Sequence, residues 1–93
     1  MIIGILTLDL DIPAAQSLKD KRQVLNRLTD RVRNTFNVSI AEIEAQEVWN
    51  RAVVAVAVVS NQQPHANRVL SKVIELVEKV HDCSVADITT EFL

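Results

Sequence analysis

Hydrophobic and polar positions alternate in part along residues 1–12. Ile2, Leu6, Leu8, Leu10 and Ile12 share one side, and Ile3, Ile5, Thr7, Asp9 and Asp11 share the other. A period of two predicts a strand, which Pro13 helps to end. Ser17 followed by Asp20 forms a capping-box-like start, after which Leu18, Leu25, Leu28, Val32 and Phe36 recur at helical spacing, predicting a helix of about five turns. Alternation returns over residues 37–46, with Val38, Ile40, Glu42 and Glu44 opposed to Ser39, Ala41, Ile43 and Ala45. Residues 51–59 are β-branched and apolar on both faces, as in a central strand, and the short stretch 47–50, polar at Glu47 and Asn50, suits a hairpin connection. Pro64 then opens a second amphipathic helix carried by Val69, Leu70, Val73, Ile74, Val77 and Val80, and residues 84–92 alternate once more.

The element order β-α-β-β-α-β predicts an α+β ferredoxin-like sandwich over residues 1–93. Its four-stranded antiparallel sheet has order 4-1-3-2, with two helices on one face. One register leaves most carboxylates uncovered, as the cost of burying unpaired charge requires. It turns Leu6, Leu8, Leu10, Ile43, Val54, Val56, Val58, Ile88 and Phe92 toward the helices. Asp9, Asp11, Glu42, Glu44, Arg51, Asp87 and Glu91 then lie on the open face, where Arg51 can pair with Asp9 or Asp11. Ile3, Ile5, Val38, Ile40, Ala57 and Val59 form an apolar patch on that same face, a candidate homodimer or partner contact.

Composition narrows the class. The 93 residues are 48% hydrophobic and carry a formal charge of -2, which fits one small folded domain rather than a disordered chain. No apolar run is long enough for a membrane span, and the apolar start lacks the basic flank of a signal peptide. With Cys83 as the single cysteine, a reducing compartment is permitted and the cytoplasm is expected.

Resolved by segment, the charge is uneven. Helix 1 holds Lys19, Lys21, Arg22, Arg27, Arg31 and Arg33 against Asp20 and Asp30, so it carries +4 and the remainder of the chain -6. Lys21 falls near the middle of the helix's apolar stripe, and Lys19, Lys21 and Arg22 crowd its positive end. Two readings follow: an anion site formed by these cations and the first-turn amides, or a solvated face with Lys21 snorkelling from the domain edge. The hairpin at residues 46–51 should lie beside this helix end. Trp49, the sole tryptophan, could there stack on a base, anchor a partner or fold back over the core.

RNA recognition on the sheet of this fold uses aromatic platforms on the open face, and none is expected here. Six carboxylates on that surface would also repel phosphate. His81, Asp82 and Cys83 are adjacent, but His65 belongs near the other end of helix 2, which leaves too few ligands for zinc. Gly4 alone cannot build a phosphate-cradling loop. No metal, cofactor or catalytic constellation is therefore expected.

Several blocks together resemble one family. They are Ser17-Leu18-Lys19-Asp20-Lys21-Arg22, Phe36-Asn37-Val38-Ser39-Ile40-Ala41-Glu42, Trp49-Asn50-Arg51-Ala52 and Val59-Ser60-Asn61. The chain resembles, over essentially its whole length, the YlxP-like family of small bacterial proteins, a domain of unknown function. The resemblance implies the ferredoxin-like fold but no activity. In many bacteria genes of that family adjoin those for a translation initiation factor and ribosome-binding factor A, which implies a role near ribosome assembly or translation. The leading expectation is a non-enzymatic domain that binds ribosomal RNA or a ribosome-associated protein through Lys19, Lys21, Arg22, Trp49, Arg27 and Arg31. The alternative is a dimeric regulatory or structural module that binds a small anionic metabolite or a protein partner.

Overall fold

Ser17 starts the first helix as read. Its Oγ accepts the Asp20 N–H at 3.1 Å, and Asp20 reaches back to accept the Gln16 N–H at 3.0 Å. A computed structural model describes all 93 residues as β1 (Ile2–Asp11), α1 (Leu18–Thr35), β2 (Ser39–Glu44), β3 (Arg51–Ser60), α2 (Gln63–Glu78) and β4 (Ser84–Phe92). The strands form one antiparallel sheet in the order β2-β3-β1-β4, which is the expected ferredoxin-like topology. Neither helix is long and apolar enough to cross a membrane.

The register carries the core. Leu6, Leu8 and Leu10 of β1 stand opposite Val56, Val54 and Ala52 of β3, and all six are buried. Leu25, Leu28 and Val32 of α1 and Leu70, Val73 and Val77 of α2 close over them. Burying about 25 cal/mol per Å² of apolar surface in this single layer is the main force holding sheet to helices. The alternate residues of β1 face away, so Asp9 and Asp11 remain outside as expected.

Strand β2 departs from the expected register. Ile40 is opposite Val56 and Glu42 opposite Val54, so both lie on the helix side, and Ile40 is 3% exposed. A bulge between Glu42 and Glu44 then shifts the pairing, and Ile43 is exposed where an inward position was expected. Val38 likewise packs against the core. Two members of the expected open-face patch, Val38 and Ile40, thus belong to the interior. The physical reason is Lys21, whose burial demands a carboxylate on the same side of the sheet. Ile88 takes its expected position opposite Leu8, yet edge strand β4 leaves it exposed.

Candidate nucleic-acid interface

The Lys21 side chain is 1% exposed. Its Nζ donates to Glu42 Oε2 at 2.8 Å and to three main-chain carbonyls, those of Ala45 at 2.8 Å and of Gln46 and Arg51 at 3.2 Å. An ammonium has three N–H donors, so this ring of oxygens leaves none for an external anion. The cation expected at the centre of the anion site is instead the internal anchor of the β2–β3 hairpin. Ala45 adopts φ 61°, a left-handed conformation uncommon for a residue with a Cβ. Its carbonyl accepts both from Lys21 and, at 3.0 Å, from the Val48 N–H. Strain at Ala45 is thus held in place by the lysine it serves.

The remaining cations of α1 divide into two flanks. At 100° per residue Lys19, Arg22 and Arg33 turn toward the β2 side, while Arg27 and Arg31 turn the other way. Arg33 donates to the Ile40 carbonyl of β2 at 3.0 Å, which fixes the direction of the first flank. Lys19 and Arg22 are exposed. Nearby, the Lys21-anchored hairpin carries Trp49 at 52% exposure, with Val48 also exposed, so the indole does not fold back over the core. On the second flank Arg27 bonds Asp82 at 2.6 Å, which links α1 to the connection between α2 and β4. Arg27, Arg31, Lys79, His81 and Asp82 there line a cleft of about 390 Å³ floored by Leu28 and Val80.

Spacing in the sequence makes Arg27 and Arg31 legible as an i,i+4 pair. Lys79 and His81 join them only through the packing of α1 beside α2, which no local pattern announces. His81, considered with Asp82 and Cys83 as a metal motif, lies in this basic cleft instead. Burial first, and the Asp82 charge second, push the Cys83 thiol above its usual value, which keeps it a neutral structural thiol.

The open sheet face has the expected ion pair. Arg51 donates from Nε and Nη2 to the two carboxylate oxygens of Asp9, at 3.0 and 2.8 Å. Those hydrogen bonds hold the Asp9 carboxyl below the ordinary carboxylate value and raise Arg51, with the solvent-exposed geometry keeping the pair a modest one. Rows of Thr7, Ala41, Ala55 and Thr89, then of Ile5, Ser39, Ala57 and Glu91, complete the surface, and neither row contains an aromatic ring.

Comparison with known proteins gives a family and a fold. The chain is 39% identical over 77 residues to the uncharacterized protein YlxP of Bacillus subtilis (strain 168), covering 83% of this chain and 84% of that one. Among solved structures, the de novo designed ferredoxin-fold protein LFR1 1 matches with a TM-score of 0.57 at 12% identity, covering all of this chain and 84% of the design. The designed protein Foldit4 matches with a TM-score of 0.56 at 12% identity, over all of this chain and 97% of that one. Likeness to designed proteins at such identity speaks for the fold alone. Residues 3–90 match the family described as a protein of unknown function, DUF503, and the chain belongs to that family.

Proposed function

We propose that this chain is a non-catalytic binding domain that engages ribosomal RNA through the β2-side flank of α1 and the adjoining hairpin. The observation that carries the reading is the pairing of exposed cations, Lys19 and Arg22, with an exposed tryptophan on a hairpin whose carbonyls Lys21 binds from α1. Cations supply phosphate affinity by releasing counterions, and an indole supplies a stacking platform for an unpaired base. The acidic open face disfavours a second mode in which RNA lies across the sheet. Family context beside translation genes agrees with this choice of nucleic acid.

Titration of a structured ribosomal RNA fragment tests it. Lys19→Ala with Arg22→Ala is expected to weaken binding about tenfold at moderate salt and to flatten the salt dependence by about two phosphate contacts. Binding by the double variant equal to wild type, or wild-type binding indifferent to salt, would remove this surface from the reading.

A homodimer is the second reading, and exposed apolar side chains at one end of the open face favour it. Val59 lies opposite Ile3, and Ile3 exchanges main-chain hydrogen bonds with Leu93 at 3.0 and 2.8 Å. Val59 and Leu93 are each 67% exposed, and Ile5 and Ala57 extend the row. Sedimentation equilibrium is expected to show self-association that Val59→Asp abolishes; a monomer at millimolar concentration would exclude it.

A further inference from the structure

The basic cleft on the second flank of α1 is not used by the RNA reading, and its charge is out of balance. Arg27 and Arg31 enter it from α1, and Lys79 and His81 enter it from the end of α2 and the connection to β4. Asp82 is the one carboxylate there, and it binds Arg27. No ion pair engages Arg31 or Lys79. Counting the three permanent cations against Asp82 leaves +2, and the His81 ring adds an N–H donor. The C-terminal carbonyls of α2, where the Lys79 N–H already bonds the Leu76 and Val77 oxygens, offset only about half a charge.

Natural surfaces place like charges together at a cost unless a counter-charge visits. Here the cations come from two separate elements, so neither helix periodicity nor a single charged run accounts for their convergence. A tetrahedral dianion meets the +2 balance, and the Arg31 fork with the compact Lys79 ammonium, approaching from two elements, suits several oxygens on one centre better than a single flat carboxylate does. A volume of about 390 Å³ lies near the lower end of the range for small-ligand sites, and Leu28 and Val80 give it an apolar floor. We propose that this cleft binds the phosphate group of a small phosphate ester, with Arg31 and Lys79 as the principal contacts and Asp82 as the carboxylate that competes for Arg27.

Titrations of the ¹⁵N-labelled protein with inorganic phosphate and with glucose 6-phosphate test the assignment. Saturable shifts are expected at the amides of residues 27–31 and 79–82. Arg31→Ala and Lys79→Ala, both at exposed positions, are each expected to weaken glucose 6-phosphate binding about tenfold with the remaining spectrum unchanged. Asp82→Asn removes the competitor and is expected to tighten binding about threefold. Arg22→Ala, on the opposite flank, should leave it unaltered. Shifts that do not saturate, that sodium chloride reproduces, or that survive Arg31→Ala undiminished would overturn the proposal. Displacement of the ester by an equimolar RNA fragment would assign the cleft to a nucleic-acid phosphate and overturn it as well. The RNA reading stands or falls separately, on Lys19 and Arg22.

Discussion

Lys21→Met is expected to lower the unfolding free energy by about 3 kcal/mol, the size of effect seen when one partner of a buried ion pair is removed. Methionine keeps most of the aliphatic stem that crosses the buried stripe of α1, so the loss falls on the polar end. Glu42 loses its counter-ion, and the carbonyls of Ala45, Gln46 and Arg51 lose their shared donor. The Glu42 side chain retains 22% exposure and can gain water, which keeps the loss toward the lower end of the range for fully buried pairs. Lys21→Arg should fare little better, because a planar fork cannot reproduce a compact ammonium surrounded by oxygens. Adding Glu42→Leu to Lys21→Met removes the stranded carboxylate and is expected to recover about 1 kcal/mol, the carbonyls still lacking the ammonium. Urea unfolding followed by circular dichroism measures each step. Trp49 fluorescence gives an independent readout, since the hairpin that carries the indole is the part released. A Lys21→Met change below about 0.5 kcal/mol would show that the hairpin does not depend on this anchor.

The same lysine shows how far the residues themselves disclose the structure. Strands β1 and β3 and both helices follow directly from apolar spacing, because each buries one regular face in the same core. Strand β2 does not. Assigning every acid to solvent is sound for an isolated carboxylate, yet Glu42 has a partner, and that partner was already conspicuous in the apolar stripe of α1. Lys21 and Glu42 each violate a local preference alone and satisfy it together. Ile43, next to the inward Glu42, faces out by plain alternation, and a bulge after Glu42 then brings Glu44 opposite Val53 on the open face; bulges leave little mark in a short alternating run. For the candidate sites, exposure decides what composition cannot. Lys21 leaves the set of available cations, Trp49 proves open to solvent, and Arg27 and Arg31 part from Lys19 and Arg22 to meet Lys79 and His81. The last step depends on contact between elements distant in the chain, which periodicity within either one cannot encode.

Gly4→Val is expected to destabilise the fold by about 2 kcal/mol, and the cause is space rather than backbone conformation. The chain's one glycine sits inside β1 without a positive φ, where a residue with a side chain would ordinarily strengthen the strand. A Cβ at this position would stand 3.0 Å from Leu70 Cδ1, 3.1 Å from Val58 Cγ1 and 3.3 Å from Phe92 Cε1. Leu70 of α2 therefore seats directly on the β1 backbone, with Val58 and Phe92 of the two neighbouring strands closing the sides. Leu70 and Val58 are buried and have little room to yield, whereas Phe92 on edge strand β4 is only half-buried and can shift. Alanine should consequently cost less than about 1 kcal/mol, its gain in strand propensity offsetting part of the crowding. Valine adds two methyl groups against the same walls. Leu70→Ala alone opens a cavity and is expected to cost about 3 kcal/mol. In the double variant the valine methyls enter that cavity, so the combined loss should fall short of the sum by at least about 1 kcal/mol. Strict additivity in urea unfolding would show that the crowding is relieved elsewhere, by movement of Phe92 or of the β4 edge, and that α2 is not held at its present height by the missing side chain of Gly4.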